Sequence, residues 1–140
     1  MKTDISILIA DDDIDDIEFI RDAFSRSAFP GALQFFRNGD MLMDYLLEIR
    51  KAYEGGNTFL PHLLLLDLNM PMKDGYEVMK EIIEDTILNN VPVIVISSSP
   101  RTDEEERCAK MGSKRYYKKP ISMAEYDELV GNIYNYLETA

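Results

Sequence analysis

Apolar runs of strand length alternate along the chain with segments of helical length. Five short runs are predicted as strands, at 5 to 10, 33 to 37, 63 to 67, 93 to 97 and 115 to 118. Five helix candidates lie between and after them, and the fifth is the clearest, because apolar residues recur at spacings of three and four from Tyr126 to Leu137. Continuous apolar strands separated by helices are typical of a parallel sheet covered on both faces. The pattern predicts an α/β fold, a doubly wound (βα)5 domain with a five-stranded parallel sheet.

Length and composition predict one domain. With 140 residues, 46% of them hydrophobic, the chain has apolar material for one core and is too short for two ordinary domains. We expect residues 1 to 140 to form a single domain with no output domain attached. The loose segment 51 to 61, "KAYEGGNTFLP", is predicted as an exposed excursion, either a tolerated surface insertion or a partner contact.

Charge and hydropathy exclude several classes of function. The formal net charge of −11 repels phosphate backbones and disfavours direct binding of nucleic acid. The apolar runs are far shorter than the roughly 20 residues of a membrane span, and the acidic start of the chain does not resemble a secretory signal. Cys108, the single cysteine, is predicted as a small buried helix residue. We therefore expect a cytoplasmic protein that binds neither nucleic acid nor membrane.

Polar residues that could bind a ligand or take part in a reaction lie at the ends of the predicted strands. The third strand ends in Asp67, although a carboxylate is expensive to bury unpaired. The neighbouring strand ends carry Asp11, Asp12 and Asp13 after strand one, Ser97 at the end of strand four and Lys119 after strand five. In open parallel sheets ligands bind beyond these carboxyl ends, so the side chains are expected to share one crevice. Carboxylates ~4 Å apart repel by about 4 kcal/mol at an effective dielectric of about 20, and oxygen ligands select Mg²⁺ as the compensating cation.

Other kinds of site are excluded by inspection. The chain has neither G-x-x-x-x-G-K-[ST] nor G-x-G-x-x-G, so the common backbone cradles for nucleotide phosphates are missing. The run "DDDIDD" does not fit a calcium loop, because Asp16 stands where the turn glycine belongs and Asp22 where a bidentate glutamate is needed. His62 is the only histidine, which argues against a zinc site or a serine-type triad.

The remaining groups suit phosphoryl transfer to an aspartate. A carboxylate can attack phosphorus if a metal ion partly neutralises its charge and if ammonium and hydroxyl donors hold the transferred oxygens. Asp67, Lys119 and Ser97 supply these parts. The product would be an acyl phosphate on Asp67, which water can later hydrolyse.

Four ordered segments now resemble a known family. "ILIADDD", "LLLLDLNMPMKDG", "PVIVISSS" and "YYKKP" are similar to the signature segments of response-regulator receiver domains of two-component signalling. The spacing matches as well, with 30 residues from Asp67 to Ser97 and 22 from Ser97 to Lys119. The resemblance covers essentially the whole chain and implies the flavodoxin-like receiver fold. The long segment before strand three and the triple serine look most like single-domain regulators that partner phytochrome-type histidine kinases.

The resemblance implies a role for each residue around the acceptor. Asp67 would be phosphorylated from a phosphohistidine on a sensor histidine kinase or a phosphotransfer protein. Asp12 would bind Mg²⁺ directly, Asp11 would orient one of its waters, and Asn69 would contribute its backbone carbonyl to the metal. Such a protein is a signalling switch and not an enzyme, although it assists its own phosphoryl transfer and dephosphorylation.

The resemblance also implies the parts of the switch. Lys119 would pair with a phosphoryl oxygen, aimed inward by a cis peptide bond before Pro120. Ser97 would swing toward another phosphoryl oxygen, and Tyr116 would be the aromatic residue that turns inward when the hydroxyl moves. Ser99, together with Asn69, would modulate how quickly water reaches the acyl phosphate. Asp13 lies outside this set and is predicted to cap the first helix.

The output is expected to be a binding event on the face of helix four, strand five and helix five. Helix five carries apolar and aromatic residues that could bind a downstream protein or a second copy of the chain, although burial against the sheet is expected to claim several of them: Tyr126, Ile133, Tyr134 and Tyr136. Two alternatives belong to other classes. A Mg²⁺-dependent phosphohydrolase with an aspartyl nucleophile typically needs a second aspartate where this chain has Asn69. A degenerate receiver acting as a constitutive interaction module is disfavoured by the intact Asp12, Asp67, Ser97 and Lys119.

Overall fold

The structure is a computed structural model that describes residues 4–98 and 102–139. Its sheet consists of β1 Ser6–Ala10, β2 Ala32–Phe36, β3 Leu63–Asp67, β4 Val93–Ser97 and β5 Arg115–Lys118. The helices are α1 Ile14–Arg26, α2 Gly39–Glu54, α3 Gly75–Glu84, α4 Thr102–Lys110 and α5 Met123–Thr139, with a short 3-10 helix at Leu88–Asn90. The predicted alternation of strands and helices is confirmed, and β3, β4 and β5 have the predicted bounds.

Some element bounds differ from the sequence-based expectation. The strand β1 begins at Ser6, one residue later than predicted. The strand β2 begins and ends one residue earlier than predicted. The helix α2 continues to Glu54, so the first four residues of the segment 51 to 61 are helical and the prediction of a loop there was wrong. The reason is local, because no helix breaker occurs until Gly55, which caps the helix. Beyond it, Phe59 is 86% exposed, and a role for this loop in a partner contact stays a prediction.

The five strands are all parallel and lie in the order β2-β1-β3-β4-β5. The chain builds outward from β1 to β2 and then crosses back to place β3 on the other side of β1. Strand order therefore reverses between β1 and β3, and in open sheets this is where ligand crevices form. The register pairs Ala10 with Leu66 and Asp67 with Ile96, so the carboxyl ends of β1, β3 and β4 lie level with one another.

Hydrophobic side chains fill both faces of the sheet, which explains the run of four leucines. Leu64 and Leu66 pack into the cluster formed with α2, α3 and α4, whereas Leu63 and Leu65 pack into the cluster with α1 and α5. Each of these leucines is at most 1% exposed, and burial of one leucine side chain stabilises the fold by roughly 1.5–3 kcal/mol. Because β3 has no solvent-facing side, its polar last residue can only face the crevice at the strand end.

Helix caps fix the loops around this crevice. Asp13 caps α1, as predicted, by accepting a hydrogen bond from the Asp15 amide. Asp74 and Glu77 form a reciprocal capping box at the start of α3. At Gly39 a Cβ atom would overlap the carbonyl oxygen of Lys73, so glycine allows the loop after β3 to lie against the start of α2. The loops that carry the strand-end residues are thus tied to the helices that follow them.

In the described part of the chain, no helix combines the length and the apolar character that crossing a membrane requires. Cys108 is buried in α4, as predicted.

Candidate functional site

The carboxyl ends of β1 and β3 bring three carboxylates together, at Asp11, Asp12 and Asp67, and we call them the acid cluster. One carboxylate oxygen from each lies within 4.8 Å of the others. Asp11 and Asp67 are each 3% exposed, whereas Asp12 is exposed to solvent. Backbone amides orient the two buried groups, because Asp11 Oδ1 accepts from Asp13 N at 2.9 Å and Asp67 Oδ1 accepts from Asn69 N at 3.0 Å.

The ammonium group of Lys119 reaches the acid cluster from the end of β5. Its Nζ lies 3.0 Å from Asp67 Oδ2 and 3.2 Å from Asp11 Oδ2. It also lies 2.7 Å from Asp16 Oδ2 in the first turn of α1. One positive charge is therefore shared among three carboxylates, and its side chain is only 16% exposed.

The pKa values reflect a site with too little positive charge. Burial raises the pKa of Asp11 to about 7, opposed by the Asp13 amide and by Lys119. Burial also raises the pKa of Asp67, against the lowering effects of the Asn69 amide and Lys119. Burial lowers the pKa of Lys119, but the hydrogen bond to Asp16 and the charges of Asp11 and Asp67 outweigh this, so its pKa is raised and it stays protonated. A divalent cation would relieve the remaining repulsion between the carboxylates.

Asp16 was not predicted as a site residue. Besides Lys119, it binds the phenol of Tyr126, whose Oη donates to Asp16 Oδ1 at 3.3 Å. A signal was available in the sequence, since Asp16 lies in the first turn of the helix that directly follows the acidic end of strand one. Sequence reasoning used that residue only to exclude a calcium loop.

Ser97 and Tyr116 lie next to each other on the α4 side of the crevice. Ser97 ends β4 and is fully buried, and its hydroxyl acts on the phenol of Tyr116 as a hydrogen-bonding partner. The Tyr116 Oη donates to Glu104 Oε1 at 2.6 Å. Glu104 was also missed from the sequence, although its position four residues before the predicted buried Cys108 places it on the same helix face.

The other predicted residues have different outcomes. Asn69 is exposed and lies beside the acid cluster, because its backbone amide donates a hydrogen bond to Asp67 Oδ1. The peptide bond between Lys119 and Pro120 is trans, since no described residue has a cis bond, so the expectation of a cis bond was wrong. Lys119 reaches the carboxylates with this trans backbone. Ser99 lies outside the described residues.

The donor set of the acid cluster suits a hard cation. Its groups are carboxylate oxygens, and among the described residues no histidine or cysteine joins them. Oxygen ligands of this kind favour Mg²⁺ or Mn²⁺ over the metals that prefer thiolate and imidazole. Residues Asp11, Asp12 and Asp67 therefore fit a divalent metal at the end of β1 and β3.

Comparison with known proteins is decisive at this point. Residues 7–131 match the family model described as "Response regulator receiver domain". The chain belongs to this family. The receiver domain is a CheY-like component of two-component signalling, and its five-stranded parallel sheet with five helices is the flavodoxin-like receiver fold.

Relatives of this receiver domain cover nearly its full length. It is 33% identical over 130 residues to the probable methanogenesis regulatory protein FilR2 of Methanothrix harundinacea, covering 93% of this chain and 81% of that protein. It is 31% identical to the response regulator Rcp1 of Synechocystis sp., covering 95% of this chain and 89% of Rcp1.

Two solved structures share the fold at similar identity. The phosphorylated cyanobacterial phytochrome response regulator RcpA superimposes with a TM-score of 0.83 at 33% identity, covering 98% of this chain and 96% of that one. The Mn²⁺-bound form of Rcp1 superimposes with a TM-score of 0.81 at 30% identity, covering 97% and 96% of the two chains.

Proposed function

We propose that this receiver domain is a phosphoacceptor switch in a His-to-Asp phosphorelay and that Asp67 receives the phosphoryl group. The observation that carries the proposal is the position of Asp67, buried at the end of β3 within the acid cluster and 3.0 Å from Lys119 Nζ. Burial raises the pKa of Asp67 and so opposes its charge, which makes a carboxylate at this position costly for the fold. The phosphorylated state of the related RcpA and the Mn²⁺-bound form of Rcp1 support the proposal.

The acid cluster would hold Mg²⁺ through Asp11, Asp12 and Asp67, with the backbone carbonyl of Asn69 as a further oxygen ligand. When bound, the ion supplies positive charge that lowers the repulsion between the Asp67 carboxylate and an incoming phosphoryl group. Backbone donors of the chain itself position the carboxylates for the metal. The amides of Asp13 and Asn69 already fix the orientation of the two buried carboxylates.

The transfer step moves one phosphoryl group from a histidine nitrogen of the donor protein to a carboxylate oxygen of Asp67. An Asp67 carboxylate oxygen forms a bond to phosphorus while the bond from phosphorus to the donor histidine nitrogen breaks, and its electron pair stays on the imidazole. Lys119 turns from the carboxylates to a phosphoryl oxygen and balances its charge. The Ser97 hydroxyl donates a hydrogen bond to another phosphoryl oxygen, and the resulting acyl phosphate persists until water hydrolyses it.

A groove beside the crevice suits the phosphodonor protein. Phe19 of α1 and Ile121 and Met123 before and at the start of α5 are exposed, and with Asp16 they line a cavity of about 310 Å³. The contact of Asp16 with Lys119 Nζ at 2.7 Å places this groove next to the acceptor site. The donor histidine must reach Asp67, so we propose that a sensor histidine kinase or phosphotransfer protein docks its apolar surface here.

Phosphorylation is proposed to alter the face formed by α4, β5 and α5, which would bind a downstream protein or a second copy. Of the four helix-five residues considered for this face, Tyr126 and Ile133 are buried against the sheet, with 5% and 0% exposure, as was expected for several of them. Tyr134 packs on the α1 side of α5, where it stacks on Phe29 and shares a hydrogen bond with Ser27. Tyr136 is half-buried beside Arg115 of β5 and remains available in part. The protein is proposed to deliver this output in the cytoplasm.

The decisive experiment measures covalent phosphorylation. The protein is incubated with acetyl phosphate and Mg²⁺, and its intact mass is compared with those of Asp67→Asn and Asp44→Asn. Asp44 is an exposed aspartate on α2 and serves as the matched control. Wild type and Asp44→Asn should gain one phosphoryl group, and Asp67→Asn should gain none.

The contrary results are equally specific. Phosphorylation of Asp67→Asn would show that another residue is the acceptor. If the wild type takes up no phosphoryl group, the constitutive interaction module would be favoured. Sustained turnover of small phosphoesters by the wild type would favour the phosphohydrolase.

A further inference from the structure

A small polar network lies between α4, α3 and β5, next to the proposed acceptor site. Its centre is Glu104, a nearly buried carboxylate in the first turn of α4. Glu104 Oε1 accepts a hydrogen bond of 2.6 Å from the phenol of Tyr116 on β5. The same carboxylate is a hydrogen-bonding partner of the Tyr76 phenol at the start of α3.

The network is closed by a cation on the same helix. The guanidinium of Arg107 lies 3.9 Å from the centre of the Tyr76 ring. Two side chains of α4 therefore contact Tyr76, Glu104 at its hydroxyl and Arg107 at its ring face. Burial and the Glu104 carboxylate raise the pKa of Tyr116 to about 12, so the phenol remains a donor at neutral pH. Hydrogen bonds to a charged acceptor are stronger than those to a neutral one. The position of α4 is therefore tied to the orientation of Tyr116.

The Tyr116 phenol has two hydrogen-bonding partners, Ser97 and Glu104, and phosphorylation is proposed to move only Ser97. Its ring packs against the hydrophobic cluster that contains Val95 and Cys108, so it points toward the sheet and not into solvent. Its phenol interacts with both Ser97 and Glu104. If Ser97 is drawn to a phosphoryl group, as the proposed function requires, the Tyr116 phenol loses the serine and keeps the Glu104 carboxylate as its acceptor.

We infer that Glu104 is the positioning residue that holds Tyr116 inward when Ser97 turns to the phosphoryl group, and so couples the acceptor site to α4. This inference rests on the proposed function and adds a side chain of α4 to it. Glu104 is not a member of the acid cluster, and its hydrogen bonds to Tyr116 and Tyr76 link it to β5 and α3. By linkage, a residue that stabilises the phosphorylated shape raises the affinity of that shape for the phosphoryl group.

The test uses beryllofluoride, a non-covalent phosphoryl mimic, titrated into the full chain at saturating Mg²⁺. Glu104→Gln should weaken beryllofluoride binding by about tenfold, because a neutral amide oxygen accepts from the phenol less strongly. Its Mg²⁺ affinity should stay unchanged. Glu105→Gln, which neutralises the exposed neighbouring residue on α4, should bind beryllofluoride as the wild type does.

A double-mutant cycle separates this link from a general effect on the helix. Tyr116→Phe removes the donor of the same hydrogen bond, so Glu104→Gln should add little to its effect on beryllofluoride affinity. Full additivity of the two changes, or an equal loss in Glu105→Gln, would overturn the inference. Tyr116→Phe also tests the bond if Glu104→Gln fails to fold.

Failure of the proposed function is recognised separately. The ring signals of Tyr116 in NMR spectra of the free protein should shift in Glu104→Gln and not in Glu105→Gln, whether or not beryllofluoride binds. No binding of beryllofluoride by the wild type would contradict the proposed function alone, whereas unshifted Tyr116 signals would contradict the role of Glu104 alone.

Discussion

Lys119 Nζ lies 2.7 Å from Asp16 Oδ2, closer than the 3.0 Å that separates it from Asp67 Oδ2. Asp16 is therefore the nearest anionic partner of this lysine among the described residues. In the proposed reaction the ammonium group must leave these carboxylates for a phosphoryl oxygen. Asp16 then acts as a competitor for the cation that the transferred group needs.

Asp16→Asn is expected to accelerate phosphorylation. The amide keeps an oxygen for the Tyr126 phenol but removes the negative charge that competes for Lys119. The rate with acetyl phosphate at saturating Mg²⁺ should rise about threefold, as expected for the loss of one partly exposed ion pair. Asp15→Asn is the matched control, because Asp15 is exposed in the same helical turn. A rate that falls in Asp16→Asn would show that Asp16 orients Lys119 productively and does not compete for it.

The metal-free protein should lose stability as pH rises toward neutrality. Burial raises the pKa of Asp11 to about 7, whereas an aspartate in the unfolded chain titrates at about 4. The folded state binds the proton more tightly across this window, so the contribution of Asp11 to the free energy of unfolding falls as pH rises from about 4 to about 7. Thermal unfolding in a chelator should show a higher Tm at about pH 5 than at about pH 7.5.

The Asp11→Asn variant provides the matched comparison for that pH series. It cannot ionise at this position, so it should be more stable than the wild type at neutral pH, by on the order of 3 kcal/mol. The two proteins should converge in stability as pH falls toward about 4. Equal stability of both proteins at neutral pH would contradict the raised pKa.

Metal binding should release a proton. A divalent ion binds the carboxylate form of Asp11, so it competes with the proton that the raised pKa retains near neutrality. The affinity for Mg²⁺ should fall as pH drops below about 7, by up to tenfold per pH unit. Isothermal titration calorimetry in two buffers with different ionisation enthalpies should detect proton release. A Mg²⁺ affinity independent of pH in this range would place the metal away from Asp11.

Much of the site was predictable because parallel strands place their carboxyl ends along one edge. Asp11, Asp12, Asp67 and Lys119 follow apolar runs whose strand character is unambiguous, so their convergence follows from the sheet alone. The bounds of β3 were predictable for the same reason, since Leu63 to Leu66 are buried on both faces. Strand geometry leaves little freedom there.

Residues on helices were harder to assign because their position depends on how each helix is rotated against the sheet. Asp16 is 103 residues from Lys119 in the chain, and its contact follows from the packing of α1 beside β5 and α5. Glu104 reaches Tyr116 through the rotation of α4, a polar helix with a weak apolar pattern. Likewise, the period of α5 predicted that several of its apolar residues are buried against the sheet, but it did not show that these include Tyr126 and Ile133 while Tyr134 is half-buried.

Asp85 is expected to stabilise the fold at a distance from the site. It follows the last residue of α3, and its Oδ1 accepts from Ile87 N at 2.8 Å and Leu88 N at 2.9 Å at the start of the 3-10 helix. Its Oδ2 also lies 2.8 Å from Arg50 Nε on α2. Asp85→Ala should therefore lower the free energy of unfolding at neutral pH by about 2 kcal/mol, as measured by urea unfolding. Asp44→Ala, at an exposed position on α2, should change it little.

The pH dependence of this stabilisation has the opposite sign to that of Asp11. Burial raises the pKa of Asp85, but the amides of Leu88 and Ile87 and the Arg50 side chain outweigh burial and lower it below the ordinary value. The stabilisation is thus fully present above about pH 4, the pKa of an unfolded aspartate, and is lost as pH falls through the lower pKa of the folded state. The difference in stability between wild type and Asp85→Ala should shrink below about pH 4. A difference that stays constant down to about pH 2 would mean that Asp85 acts through its shape and not through its charge.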